Sequence, residues 1–499
     1  MICVLQVDSP DRSLMERMMD EGRLPVLAGL AARGETTGLD GPQAQFPAAA
    51  YPCLYRGVEA PDHGLFYPFQ WSGRDGRVRL AEAFPAPPPI WERLAAHGRS
   101  TLVIDPYESH EPRRAEGTLV CGWGLRERVV MQRWAAPPSA ARRLRARFGP
   151  APDVTETFGR HGAGELLALR EAALGAAGRT AAGTRLLLAE RSFDVAWLTF
   201  AAPHIAGHRL HAPPADVLAG MAPEARGLLR EASAAILEAT DAAVGKVLEA
   251  LPDDTDVIVC SALGMGPDTS RADLLPGMLA AVIDGRPAQA EADGDGDLVW
   301  RLRDGLGSGV RRRVAAAIPD RVALALTARL ELGGIDWSAT RAFAQPADNQ
   351  GYVRLNLSGR ERNGVVDPSA AAELLGEIAA GLKTFHDPDG ESAVAAVEEP
   401  EGREAGRFGD RFPDLVVRWR QTPGAGLVES DVHGTVRRGG YGTGRTGNHT
   451  DGDGWAILAP GSSDTSEPGR PARLVDVAAT VAAVSGIPDE GLAGRPLLA

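Results

Sequence analysis

Three histidines, His204, His208 and His449, are the residues of this sequence that could together hold a metal ion. His204 and His208 are four residues apart, so one helical turn would place both imidazoles on one face, a spacing that suits ligation of a single ion. His449 ends the remote glycine-rich segment RRGGYGTGRTGNH (437–449) and would complete a three-histidine site with an open position. Histidines at this spacing also occur on solvated helix faces. Their place just after the apolar run VAWLTF favours the metal site.

A carboxylate, Asp8, stands at a comparable place, directly after the apolar run ICVLQV (2–7). Ligands of open α/β sheets gather at the carboxyl ends of the strands, so Asp8 is expected near the histidines. Two roles stay open for it. It could be a catalytic general base, or orient a water molecule; equally, it could be a helix cap or a buried, hydrogen-bonded carboxylate of structural value only.

The glycine-rich segment also carries three arginines, Arg437, Arg438 and Arg445. Guanidinium groups bind phosphate and carboxylate oxygens through paired hydrogen bonds, so these residues are candidates for binding an anionic substrate. A basic loop is also commonly no more than solvated surface, and that alternative stays open.

Short apolar runs alternate with longer helical patterns, which predicts an α/β fold around a mainly parallel sheet. Four runs are apolar throughout, as strands covered on both faces should be, and are predicted to be strands: ICVLQVD (2–8), RSTLVID (99–105), FDVAWLTF (193–200) and DTDVIVCSA (254–262). Three longer segments are predicted to be helices: 13–33, 163–191 and 226–250.

The pattern changes between about residues 270 and 345, where Arg/Ala/Leu-rich helical segments show no clear strand. We therefore predict a core whose first part spans 1–270, a helical insertion or cap at 271–345, and a second part of the core at 346–499 that carries His449. Strands are predicted in this last part at GYVRLNL, PDLVVRW and GWAILAP, before a helix in VDVAATVAAVSGI.

The formal net charge of −13 argues against two classes of partner, nucleic acid and anionic membranes. The four cysteines have no paired spacing, so a reducing compartment is expected. The first residues form a strand-like run instead of a signal peptide, and no apolar segment approaches the roughly 20 residues that span a bilayer. The sequence thus predicts a soluble, cytoplasmic protein. A small, anionic substrate is compatible with the net charge where arginines such as Arg437, Arg438 and Arg445 cluster, and the sequence does not indicate an oligomeric state.

Several segments, in order along the chain, resemble the type I phosphodiesterase/nucleotide pyrophosphatase branch of the alkaline phosphatase superfamily. FPAAAYPCLYRGVEAPDHGLF is similar to the stretch around the family's nucleophile, APHIAGH to its D-x-x-G-H motif, and SALGMGP to its S-D-H-G-M-G motif. The resemblance implies a three-layer α/β/α core and, in the family, a two-zinc centre around a Thr or Ser nucleophile. One of the two zinc ions would fall to His204, His208 and His449, with His204 where the family has Asp.

The residues for the second zinc ion and for the nucleophile do not match the family. The corresponding positions hold Asp8, Ala50, Ala262 and Leu263, of which only Asp8 offers a ligand atom. The resemblance therefore implies one divalent ion, expected to be zinc, and hydrolysis of a phosphate, phosphonate or related ester by zinc-bound water. Two alternatives remain: a biosynthetic enzyme that uses the ion as a Lewis acid in a transfer or elimination, and an inactive pseudoenzyme with a binding role.

Overall fold

The computed structural model describes residues 1–154, 159–285, 318–330, 332–347, 349–438, 444–466 and 469–498. Two of the sequence predictions fall partly outside the described residues. These are the helical insertion, over 286–317, and the glycine-rich segment, over 439–443.

A nine-stranded sheet forms the centre of the described fold. With strands numbered in chain order, it runs β19 (Ala472–Arg473), β2 (Glu35–Asp40), β18 (Trp455–Ala459), β9 (Asp256–Ser261), β1 (Ile2–Val7), β8 (Val195–Phe200), β5 (Thr101–Ile104), β6 (Gly117–Cys121), β7 (Trp134–Ala136). The five strands from β9 to β6 are parallel, whereas β18 and β7 are antiparallel to their neighbours. The predicted mainly parallel sheet is confirmed.

Alternate side chains of β1 enter two different hydrophobic cores, as they must when both faces of a strand are covered. Ile2 and Val4 belong to one core, and Cys3 and Leu5 to the other. Helices cover both faces, which gives the three layers expected. The described helices are Arg12–Asp20, Pro25–Arg33, Ala50–Arg56, Ala60–His63, Ile90–Ala96, Pro138–Phe148, Ala163–Glu190, Ala202–Leu210, Ala215–Ala219, Pro223–Arg230, Ala232–Leu248, Leu275–Asp284, Asp320–Leu330, Ala371–Leu382 and Leu474–Val484.

The segment 13–33, predicted as one helix, forms two helices instead. The first ends before Gly22, whose φ of +75° lies in the left-handed region, and the second begins at Pro25. Proline is well tolerated at the first position of a helix, but inside a helix it lacks the N–H that would donate to the preceding turn. The break between the two helices therefore has a local cause.

A separate, antiparallel four-stranded sheet contains β11 (Ala342–Gln345), β12 (Gly351–Leu355), β14 (Leu415–Trp419) and β13 (Val394–Glu398), in that order. Two helices share its hydrophobic core, through Leu275 and Met278 of one and Leu374 and Ile378 of the other. Strand β11 lies in a stretch predicted to lack strands, and GYVRLNL and PDLVVRW lie in this sheet instead of the central one. The division of the chain at 270/271 and 345/346 stays a prediction.

Three two-stranded pairs complete the described strands: β3 (Phe69–Ser72) with β4 (Arg77–Leu80), β10 (Met265–Pro267) with β17 (Gly447–His449), and β15 (Leu427–Ser430) with β16 (Gly434–Arg437). No helix in the described part of the chain combines the length and the apolar character of a membrane span. Because β1, β5, β8 and β9 are parallel, their carboxyl ends meet at one edge of the central sheet. That edge carries the candidate site.

Candidate metal centre

The three predicted histidines converge at this edge, with one nitrogen of each within 4.8 Å of the others. The helix Ala202–Leu210 begins just beyond β8, and its 3.6-residue period places His204 and His208 side by side. His449 reaches them from the far end of the chain because β17 pairs with β10, with Met265 opposite His449. The structure thus brings together side chains that are more than 240 residues apart in sequence.

The hydrogen bonds of two of these histidines leave one nitrogen of each directed at the other. Nδ1 of His204 lies 2.9 Å from Oδ2 of Asp8, and Nδ1 of His208 lies 3.0 Å from the Gly447 carbonyl oxygen. When both Nδ1 atoms carry the proton and donate it, both Nε2 atoms are bare, and these are 3.0 Å apart. Two bare lone pairs at that distance repel unless a cation lies beside them, or unless His204 is doubly protonated.

The third histidine, His449, adds a ring nitrogen that could act as a metal ligand. Nδ1 of His449 is buried and has no hydrogen-bond partner among the described residues. Burial lowers the pKa of His208 and of His449 well below the usual value, and the charges of Arg445 and of the neighbouring imidazoles act in the same direction. Neutral imidazoles are the form that binds transition metals. The three side chains therefore fit a divalent ion that prefers nitrogen ligands, of which zinc is the common case.

Gly447 allows the close approach of the loop to the histidine helix. A Cβ atom at this position would lie 2.5 Å from the carbonyl oxygen of Gly207 and 2.7 Å from Cβ of His211. The backbone of residues 446–447 lies against the helix: Thr446 N donates to the His208 carbonyl at 2.8 Å, beside the bond from His208 Nδ1 to Gly447. The glycine-rich composition noted in the sequence thus has a steric reason at this position.

Asp8 lies behind His204 and does not line the cavity next to the histidines. Its side chain is fully buried, and besides His204 it contacts Gln6 Nε2 and Ser9 Oγ, each 3.4 Å from Oδ1. The Tyr51 hydroxyl lies 2.9 Å from the same Nδ1 of His204 and 3.0 Å from Ser9 Oγ. A carboxylate that orients a histidine ligand from behind is a common outer-shell partner in metal sites.

A cavity of about 110 Å³ opens beside the histidines. Its described polar lining includes Arg209, Arg445, Glu127 and Tyr107. Burial raises the pKa of Glu127, although backbone N–H groups of residues 128–130 act in the opposite direction. Beside the histidines the cavity therefore offers two guanidinium groups and a hydroxyl that can bind an anion, together with two carboxylates, Glu108 and Glu127.

Of the three predicted substrate-binding arginines, only Arg445 lines this cavity. Arg437 is an exposed residue at the end of β16, and Arg438 forms an ion pair with Asp273. The sequence grouped the three because they are close along the chain. The hairpin β15–β16 nevertheless holds two of them outside the cavity lining.

The residues at the predicted positions of the nucleophile and second zinc site, Ala50, Ala262 and Leu263, are buried in the hydrophobic core. From the segment around Ala50, the cavity is lined by Pro47, Ala48 and Tyr51. None of the three core residues offers a side-chain ligand atom to the centre, and the expectation of a single ion stays a prediction. Within the described residues, these three histidines are the one group of three or more His, Cys, Asp or Glu side chains placed closely enough to hold a metal ion.

Sequence reasoning missed Tyr51, Tyr107 and Glu127. A signal existed for Tyr107, since it follows the predicted strand 99–105 at the same sheet edge as Asp8 and His204. Tyr51 directly follows Ala50 in the family-like segment, and no pattern in the sequence distinguishes it from a core residue. Glu127 lies in a loop without a pattern, so only the tertiary structure reveals it.

No family model matches the sequence, and no curated protein matches it. Among solved structures, phosphonoacetate hydrolase from Sinorhizobium meliloti 1021, in complex with phosphonoformate, aligns over 97% of this chain and 95% of its own, with 16% identity and a TM-score of 0.51. Its complex with phosphonoacetate gives the same coverage and identity and a TM-score of 0.50. Murine ectonucleotide pyrophosphatase/phosphodiesterase 5, an inactive variant in complex with AMP, aligns over 100% of this chain and 99% of its own at 10% identity and a TM-score of 0.46. The two phosphonoacetate hydrolase alignments show that the chain shares this fold, the alkaline-phosphatase-like fold that its sequence resemblance to type I phosphodiesterases predicts.

Proposed function

We propose that this protein is a metal-dependent hydrolase of a phosphate, phosphonate or related ester, and that it binds one zinc ion through His204, His208 and His449. The observation that carries the proposal is the convergence of these three side chains, with two Nδ1 atoms held by acceptors and two Nε2 atoms 3.0 Å apart. A zinc ion held by three histidines would act as a Lewis acid and can lower the pKa of a bound water molecule to about 7.

The protein's own residues have separate tasks in this proposal. Asp8 fixes the tautomer and orientation of His204 through the 2.9 Å contact with Nδ1, which favours a positioning role for it over that of general base. Arg445 and Arg209 bind the anionic group in the cavity. The fold shared with phosphonoacetate hydrolase supports phosphonates among the substrate classes.

The chain offers no Thr or Ser at the predicted position of the nucleophile, because Ala50 stands there and is buried in the core. We therefore propose direct attack by water, without a covalent intermediate on the chain. The four cysteines are free and buried, which supports the proposed cytoplasmic location.

Metal analysis of the purified protein is the first test, with His449→Ala as the variant. His97→Ala serves as the matched control, since His97 is an exposed histidine remote from the site. We expect one zinc ion per chain in the wild type and in the control, and a large loss in His449→Ala. Two ions per chain would contradict the single site, and a protein without metal would favour the pseudoenzyme.

Activity is then measured with aryl esters of phosphate and of a phosphonate, which release a coloured phenol on hydrolysis. We expect hydrolysis that a chelator abolishes and that added zinc restores. A protein that binds one zinc ion but hydrolyses none of these esters would favour the alternative enzyme, in which the ion acts as a Lewis acid in a transfer or elimination.

A further inference from the structure

We propose that Tyr107 is a substrate-binding residue of this site, whose hydroxyl donates a hydrogen bond to an oxygen of the anion that binds beside the three histidines. This inference rests on the proposed function, because it takes the histidine cluster to be a metal centre. It adds a residue that neither the sequence resemblance nor the comparisons assign.

The first support is the position of the hydroxyl. Tyr107 Oη lies 3.2 Å from Nε2 of His204, the same nitrogen that lies 3.0 Å from His208 Nε2. Tyr51, by contrast, contacts the opposite nitrogen, Nδ1, on the side of Asp8. The two phenol groups thus contact different nitrogens of one imidazole, and Tyr107 is the one on the side of the histidine cluster.

The second support is the loop that holds Tyr107. Asp105 and Glu108, on either side of it, have φ of +54° and +49°, a left-handed conformation that is unfavourable for residues other than glycine. Such a conformation persists only where the surroundings fix it. Here the Asp105 carboxylate accepts hydrogen bonds from the N–H groups of Trp123 and Gly124, at 2.8 and 2.6 Å.

The other end of the loop is fixed in the same manner. The Glu108 N–H donates to the Val130 carbonyl at 3.1 Å, and the Tyr55 hydroxyl donates to the Glu108 carbonyl at 3.0 Å. Strained loops that are held this firmly are concentrated at functional sites. The loop fixed at both ends holds the Tyr107 ring against Tyr51 and His204, with its hydroxyl at His204 Nε2.

The proposed role of Tyr107 follows from which acceptors are available to its hydroxyl. A phenol can donate a hydrogen bond, and when the proton of His204 is on Nδ1, beside Asp8, the Tyr107 hydroxyl donates to the lone pair of His204 Nε2. Once that lone pair is engaged by a metal ion, the hydroxyl has to find another acceptor. An oxygen of a phosphate or phosphonate in the cavity, which Tyr107 lines together with Arg445, provides it.

The test compares zinc-loaded wild type with Tyr107→Phe, which removes only the hydroxyl. Tyr352→Phe is the matched control, because Tyr352 lines the same cavity while its hydroxyl donates to the Gln45 carbonyl at 3.1 Å. Three quantities are measured: zinc affinity by chelator competition, the Kd of inorganic phosphate by calorimetry, and KM and kcat with an aryl phosphate.

For Tyr107→Phe we expect zinc affinity close to that of the wild type and a phosphate Kd raised about tenfold, the usual effect of losing a hydrogen bond to a charged group. KM should rise with it, and Tyr352→Phe should change neither quantity. An unchanged phosphate Kd in Tyr107→Phe would overturn the inference. A zinc affinity more than about tenfold weaker would also overturn it, since the hydroxyl would then support the metal centre, as an outer-shell partner does, instead of binding the anion.

A measurement on the wild type does not depend on the folding of a variant. Addition of phosphate to the zinc-loaded protein should perturb the near-ultraviolet absorption of tyrosine. An unchanged tyrosine absorption on phosphate binding would overturn the inference. A wild type that binds zinc but not phosphate would refute the role of Tyr107 and leave the metal site standing. A wild type that binds no zinc would refute both proposals.

Discussion

Replacement of Asp8 by asparagine tests whether the buried carboxylate prepares His204 for metal binding. The change preserves the size of the side chain and one acceptor oxygen, but it removes the negative charge 2.9 Å from His204 Nδ1. It also lets the amide group donate its N–H to His204 Nδ1, which favours the tautomer with the proton on Nε2. His204 Nε2 would then carry a proton where it must offer a lone pair.

The size of the effect follows from the kind of contact. Loss of an outer-shell partner of a histidine ligand lowers metal affinity by about 10- to 100-fold. At about 1.4 kcal/mol for each factor of ten, this corresponds to about 1.4–2.8 kcal/mol of zinc-binding free energy. We expect the upper part of this range, because Asp8 is fully buried and water cannot replace its charge.

The assay is competition for zinc between the protein and a chelator of known affinity, at fixed pH. Asp241→Asn is the matched control, because Asp241 is also buried but accepts hydrogen bonds from the N–H groups of Val26 and Leu27, remote from the histidines. The control should keep wild-type zinc affinity even where it loses stability. A zinc affinity of folded Asp8→Asn within about threefold of the wild type would refute the reasoning.

Three further outcomes are expected. Gly447→Ala should lower the free energy of unfolding by about 1–3 kcal/mol and weaken zinc binding, because the new Cβ would lie 2.5 Å from the Gly207 carbonyl oxygen. Thermal unfolding measures the stability and zinc titration the binding. An unchanged melting temperature would contradict the close approach. Burial raises the pKa of Asp105 to about 7, above its value in the unfolded chain, so its contribution to stability should be lost as the pH rises from about 4 to 7. The unfolding free energy of Asp105→Asn, measured with denaturant, should change less with pH over that range than that of the wild type. The same pH dependence in both proteins would argue against this titration. Arg271→Met should cost about 3–5 kcal/mol in unfolding free energy, because it leaves the buried Asp387 without its closest partner, and a loss under 1 kcal/mol would show that Asp387 is solvated.

Much of the central sheet could be predicted from the sequence because its strands are apolar on both faces. ICVLQV and VAWLTF need no knowledge of their neighbours to be recognised, since a parallel strand covered by helices on both sides has this composition. The strands of the second sheet carry the same kind of pattern, so their separation from the central sheet could not be predicted. That separation depends on pairing partners, such as Val353 with Leu415, which lie far apart along the chain.

The candidate metal ligands could be identified from the sequence to the extent that their residue types limit the chemistry. His204 and His208 are joined by helix geometry alone, so their spacing already indicated one ligand pair. The convergence of His449 depends on the pairing of β17 with β10 and on the space left by Gly447. Neither is visible in a local pattern.

Two other features of the site were decided only by the tertiary structure. Asp8 is placed behind His204 because β1 and β8 are neighbours in parallel register, which directs the carboxylate to Nδ1 and away from the cavity. Tyr107 reaches Nε2 because β5 is the next strand and a strained loop follows it. The sequence specified which groups could do chemistry, whereas the order of strands determined which of them meet, because hydrogen-bonded pairing brings together residues that sequence distance keeps apart.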